Sequence, residues 1–303
     1  MNGVAMNGVA MNGVAINMDQ VEKIANAVLY EGYMLYPYRP SSVKNRQRFN
    51  FGVLHPKDFD VWRMRTECVV VGNLATTVDV RMRCLQLAER DNWQEGHERD
   101  VRVIGFALGP SGTHRTPFLF EAGTSEGRLE MIRGEIDVES VELSDGVFKL
   151  SVEIRNCVSA GADLTREEAL LRSLISVHTI LQVSGGEFVS LFDPPETMRD
   201  AVAACSNVGT WPVLVGEPGQ RDTLLSAPII LYDYPQIAPE SPGDLFDGTE
   251  IDEILALRIL TMTDAEKAEV RNSDDRARRI LERTELLPPE HFQKLHGALR
   301  GIK

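Results

Sequence analysis

Between residues 61 and 155 the chain carries several segments in which apolar and polar side chains alternate with a period of two, and no helix separates them. Trp62, Met64, Cys68 and Val70 alternate with Arg63, Arg65 and Glu67. After the turn GNLATT, Val78, Val80, Met82 and Cys84 alternate with Asp79, Arg81 and Arg83. Ile132, Gly134, Ile136 and Val138 alternate with Arg133, Glu135, Asp137 and Glu139, and Phe148, Leu150, Val152 and Ile154 with Lys149, Ser151, Glu153 and Arg155. Successive side chains of a strand point to opposite faces, so each such segment buries one face and wets the other. With residues 101–107 as a further strand and Gly/Pro/Ser-rich breaks such as GPSGTHRTP between them, the pattern points to an antiparallel meander or sandwich. Residues 61–70 and 78–84 read as a hairpin. It puts Cys68 and Cys84 in the core and Arg63, Arg65, Arg81 and Arg83 on an outer face, as a solvated charge ladder with Glu67 and Asp79.

The pattern changes at Asp163. Thr165 and Glu168 have capping-box spacing, and Leu171, Leu174, Ile175, His178 and Leu181 then share one helical face up to Gly185-Gly186. A short strand FVSLF, the turn DPPE at 193–196 and a short helix through Ala204 follow. Residues 211–215 and 228–232 read as two buried strands. The remainder is helical: 250–261, a second capping box at Thr263 and Glu266, an Arg-rich amphipathic helix over 274–286, and a last helix opened by Pro288-Pro289-Glu290. Residues 19–30 form another helix, with Val21, Ile24, Val28 and Leu29 on one face. Three copies of MNGVA precede it and read as a disordered tail.

The fold class is therefore α+β. An antiparallel β-rich, meander or sandwich-like N-terminal half covers 19–157, with a basic aromatic segment at 32–57. A mixed half ending in helices covers 158–303, either as a separate domain or sharing one core with the first, after the repeat tail 1–18.

Charge is segregated along the chain. No acid occurs between Glu31 and Asp58, where Arg39, Lys44, Arg46, Arg48 and Lys57 are interleaved with Tyr33, Tyr36, Tyr38, Phe49 and Phe51. From Asp233 to Glu253 there are seven acids and no base. A net charge of −13 argues against nucleic acid, whose phosphates the surface repels. No apolar run approaches the roughly 20 residues that span a bilayer, and no secretory signal opens the chain. Four scattered cysteines without C-x-x-C fit neither a disulfide scaffold nor a zinc knuckle, so the expected compartment is the cytoplasm.

Chemistry is less legible. No Ser/His/Asp arrangement, H-E-x-x-H or G-x-S-x-G occurs, and SNVGTWPVLVGEPGQRD is not a phosphate-binding loop because no Gly-Lys-Ser/Thr follows. No cofactor is expected. Clustered carboxylates at Asp233, Glu240 and Asp244, with His178, form a weak candidate for a hard cation; Asp247 and Asp252 are equally explained as helix caps. The more favoured site is a partner-binding surface of Tyr36, Tyr38, Arg39, Lys44, Arg46 and Arg48 together with Asp233, Asp244 and Asp247. Tyr and Arg dominate interface hot spots, although the basic and acidic segments can also pack on each other. An enzyme with a cleft between the halves, where Arg39, Arg46 or Arg48 faces these acids, is the remaining alternative.

The segments LYEGYMLYPYRPSSVKNRQRFNFG, VSGGEFVSLFDPPE, GTWPVLVGEPG and LSAPIILYDYPQIAPESPGDLFDGTEIDEILALRILTMTDAEK resemble a bacterial family associated with the gene clusters of nickel–iron uptake hydrogenases, chiefly the high-affinity type. The resemblance covers most of residues 20–300 and leaves out the MNGVA repeats. It implies a cytoplasmic role near hydrogenase assembly or use. The sequence has no His-rich tract, paired C-x-x-C or P-loop for nickel handling, so the expected mode is a non-enzymatic scaffold or chaperone that docks on a hydrogenase subunit or maturation factor. The resemblance carries no assigned catalytic residues.

Overall fold

A computed structural model describes residues 18–31, 38–39, 50–90, 93–109, 111–125, 127–236, 252–273 and 275–288. The alternating segments become strands as their period demands: β1 (Arg63–Val71), β2 (Thr77–Arg90), β3 (Trp93–Ala107), β4 (Ser111–Phe120), the short β5 (Arg128–Leu129), β6 (Ile132–Ser144) and β7 (Val147–Asn156). The second half adds β8 (Ile175–Ser184), β9 (Glu187–Val189), β10 (Trp211–Leu214) and β11 (Thr223–Ala227). Helices are α1 (Met18–Tyr30), α2 (Arg166–Leu171), α3 (Arg199–Ala203), α4 (Asp252–Leu260), α5 (Asp264–Arg271) and α6 (Asp275–Glu285). The architecture is α+β: antiparallel sheets dominate the N-terminal part and helices gather at the C-terminal end.

Two antiparallel sheets pack face to face. One has the order β4-β6-β7-β1-β9 and the other β10-β11-β8-β2-β3, with β5 on β2. The interior between them is a single apolar cluster that takes Cys68 and Val70 from β1, Ile136 and Val138 from β6, Leu150 from β7, Met82 and Cys84 from β2 and Leu181 from β8. Each such fully buried aliphatic or aromatic side chain adds about 1.5–3 kcal/mol. Helices α1 and α4–α6 form a third layer on the outer face of the β8-containing sheet, whereas α3 packs on Val69, Val147 and Val189 of the other sheet. Val21, Ile24, Ala25 and Val28 of α1 pack on Ile180, Val213, Leu225 and Ala227. Leu29 and Tyr30 continue into a second cluster with Leu255, Ile259, Val270, Ile280 and Leu281 of α4–α6, over Leu85 and Leu87 of β2.

Three expectations are corrected. β1 and β2 are not a hairpin: β1 pairs with β7 and β9, whereas β2 pairs with β3 and β8. The turn between them carries the chain from one sheet to the other, so Cys68 and Cys84 do reach one core, but from opposite sides. Residues 172–184 are not helical. The helix stops at Leu171, and ISVHTILQVS is strand β8, buried on both faces, where apolar spacing no longer separates a helix from a strand. Its β-branched residues Ile175, Val177, Thr179, Ile180 and Val183 favour the extended form. Finally, the strand near residue 230 lies earlier, at Thr223–Ala227; Pro228 has no N–H with which to continue the ladder.

Local signals that need no tertiary context hold. Thr165 and Thr263 each cap their helices, with the Thr hydroxyl accepting from the Glu168 or Glu266 amide at 3.3 Å and the Glu carboxylate accepting from the Thr amide. The MNGVA repeats and the helix expected after Pro288 lie outside the described residues.

Candidate functional site

Of the six residues of the basic aromatic segment assigned to the partner surface, Tyr38 and Arg39 are described, and both turn towards the chain's own helices. Tyr38 is buried in the α4–α6 cluster. Arg39 reaches Glu266 and Glu269 of α5 at 3.2 and 3.7 Å. Tyr38 and Arg39 therefore tie the segment to the chain's own C-terminal helices. Tyr36, Lys44, Arg46, Arg48, Glu240, Asp244 and Asp247 lie outside the described residues.

Asp233 faces Ser190 and β10, not Arg39. Its Oδ2 accepts from the Ser190 hydroxyl, and its Oδ1 accepts from the Leu214 amide at 2.9 Å. His178 sits on β8, fully buried. Its Nδ1–H donates to the Ser176 carbonyl at 2.9 Å, and Nε2 has no hydrogen-bond partner. Burial, with Arg83 and Arg81 adding to it, pushes the imidazole down to about 4, so it is neutral at physiological pH. Among the described residues, no three His, Cys, Asp or Glu side chains are grouped to hold a metal ion.

The arginines expected on one outer face divide between two. Arg65 joins a ladder across the β1–β7–β6–β4 surface, donating to Glu153 at 2.9 Å. Arg155 bridges Glu153, Glu135 and Asp137, and Arg115 grips both Asp137 oxygens at 2.8 and 2.9 Å. Donation from Arg115, and also from Arg155, holds the Asp137 carboxyl below its usual range although burial opposes it. Arg81 and Arg83 instead lie on the other sheet, against Glu22 and Asn26 of α1. Burial pushes the thiols of Cys84 and Cys205 up to about 12 and about 11, which leaves them protonated and poor nucleophiles.

One strongly exposed apolar feature among the described residues was not singled out in the sequence. Residues 228–234 run as a strap along β10. Ile229 and Leu231 pack inward on the α1 cluster, which turns Ile230 and Tyr232 outward, at 86% and 71% exposure. Phe192, 57% exposed, meets Tyr232 edge to face with ring centroids 5.1 Å apart. One serine sets this geometry. Ser190 Oγ accepts from the amides of Phe192 and Asp193 at 3.1 and 2.9 Å while donating to Asp233, so the two aromatic-bearing loops share one hydrogen-bonded knot. Tyr234 adds its amide to the Leu214 carbonyl at 2.7 Å and its hydroxyl to the Gln220 carbonyl at 2.9 Å. Asp193, Glu196 and Asp200 are exposed close by in sequence. Reading 228–232 as a buried strand hid Ile230 and Tyr232; the usable signal was Pro228, which ends the ladder before them.

No protein-family model matches the chain, and no curated protein matches it. Among the described residues, no helix is long and apolar enough to cross a membrane.

Proposed function

We propose that the protein is a docking factor, an accessory scaffold or chaperone in the assembly or maturation of a nickel–iron hydrogenase. The hydrogenase assignment rests on the sequence resemblance. The docking mode is supported chiefly by the exposed Phe192–Tyr232 pair with Ile230, held rigid by the Ser190–Asp233 knot. Aromatic side chains fixed before binding lose little entropy on association and so make effective anchors. Asp193, Glu196 and Asp200 follow Phe192 in sequence, Arg199 approaching Glu196 at 4.0 Å, and the acidic run to Glu253 follows the strap. The partner surface that suits it has an apolar pocket with a basic rim. Asp233 takes part as a positioning residue. The metal-carrier reading has no observation in its favour, because the Asp233 carboxylate is already occupied by two protein donors.

The test is affinity purification of the tagged protein from a hydrogenase-producing host, with the double variant Phe192→Asp/Tyr232→Asp alongside. Both side chains are exposed, so the variant is expected to fold normally by circular dichroism. A hydrogenase subunit or maturation factor should elute with the unaltered protein and be lost with the variant. Equal recovery with both, or no hydrogenase component with either, overturns the proposal.

A further inference from the structure

A depression beside α2 gathers polar groups that the fold leaves without full partners. The segment 50–54 is stitched to the start of β8: the Ser176 and Val177 amides donate to the Phe51 and Gly52 carbonyls at 3.0 Å, and Leu54 and Leu174 exchange both backbone bonds. Gly52 is needed there. Its φ is +52°, and a Cβ would come within 2.7 Å of the Pro228 ring. This stitching sets Asn50 and Val53 opposite α2, while the loop 55–61, closed by the His55 amide on the Val61 carbonyl at 2.7 Å, forms the other wall. The resulting shallow depression, about 160 Å³, is lined by Asn50, His55, Asp60 and Arg166 and by the apolar side chains of Val53, Val61 and Leu170.

Its polar groups are of two kinds. Three are acceptors. Asn50 Oδ1 is buried and has no hydrogen-bond partner. His55 Nδ1–H faces Ser173 Oγ at 3.2 Å, and because the Ser173 proton is committed to the Ala169 carbonyl at 2.6 Å, the ring is the donor. Its Nε2 therefore carries the lone pair. Asp60 is an exposed carboxylate that accepts from the Val61 amide at 2.8 Å. The fourth group, Arg166, is an exposed guanidinium that makes no ion pair among the described residues. Burial, set against the Asp60 charge and reinforced by that of Arg166, holds His55 below its usual range, so both charges act on one ring and the ring stays neutral at pH 7.

We infer that this depression is a binding site for a small zwitterion, a free α-amino acid with an aliphatic side chain. Arg166 takes the carboxylate, Asn50, His55 and Asp60 surround the ammonium group, and Val53, Val61 and Leu170 receive the side chain. An ammonium supplies donors for the Asp60 carboxylate, the His55 lone pair and the enclosed, unpartnered Asn50 Oδ1, and a carboxylate supplies the anion that the guanidinium fork lacks. Small-ligand sites commonly combine apolar walls with a few converging polar groups. The site is independent of the docking surface and stands or falls separately from it.

The experiment is titration calorimetry of the full chain at pH 7.5 with L-leucine, N-acetyl-L-leucine and L-leucinamide. Free leucine is expected to bind saturably. Each capped derivative, having lost one of the two charges, is expected to bind at least about tenfold more weakly. Arg166→Gln and Asp60→Asn, both at exposed positions, should each weaken leucine by a similar factor while the circular dichroism spectrum stays unchanged. Equal binding of capped and free forms, unaltered binding by both variants, or no saturable heat with leucine up to roughly 10 mM overturns the inference.

Discussion

His178 shows what burial does to a single group. It stands beside Arg83 in the β2–β8 register, under α1, with one ring nitrogen satisfied locally and the other without a partner. Apolar spacing predicts a helix around it, but it lies on strand β8, where its neighbours in space come from β2 and not from one turn away. Its folded-state value of about 4 lies below the usual 6.5, so between those pH values the unfolded chain binds the proton and the folded chain does not. Its stabilising contribution is complete above 6.5 and is lost as pH falls towards 4, at no more than about 1.4 kcal/mol per unit. His178→Asn keeps a donor for the Ser176 carbonyl and cannot titrate. Urea unfolding at several pH values should show the stability gap between the two proteins narrowing as pH falls from 6.5 to 4. A gap independent of pH would show that the imidazole does not stay neutral.

At the scale of elements, local chemistry was readable and pairing was not. The boxes at Thr165 and Thr263 form because each needs only four consecutive residues. Glu266 has a second task, since the carboxylate that closes its box also meets Arg39. Thr263→Ala is expected to destabilise the protein by about 1 kcal/mol in chemical denaturation, through loss of the cap on α5. Glu266→Gln, which can still accept from the Thr263 amide, should disturb α5 less than Glu266→Ala in hydrogen exchange; equal effects would mean that the charge on Arg39 matters more than the cap. The β1–β2 error has a simple origin. Alternation states which side chains face the core, but two strands on opposite sheets of a sandwich meet that requirement as well as two neighbours do.

At the scale of the molecule, the distant ends of the chain meet on one polar joint. Tyr30 of α1 hydrogen-bonds Glu98 of β3 and Arg276 of α6, the guanidinium lies 4.2 Å from the Tyr30 ring centroid, and Arg276 also reaches Glu98 at 3.3 Å. Burial, helped by the Glu98 charge and its hydrogen bond, raises the phenol well above its usual value, so it remains a neutral donor. Arg276→Ala should therefore speed amide exchange in α1 as well as in α6, although Tyr30 and Arg276 are 246 residues apart. Faster exchange confined to α6 would show that the joint does not couple them. The sequence by itself determined the α+β class, the inward face of β1, β2, β6 and β7, both capping boxes and the extents of α1 and α6, because period and capping act over a few neighbouring residues. Only the tertiary structure decided that β1 and β2 face each other across a core, that β8 is a strand, that Tyr38 and Arg39 turn inward, and that Phe192 meets Tyr232. Those outcomes depend on which surfaces cover one another, and a residue such as Tyr232 looks the same in sequence whether its ring is buried or held out to solvent.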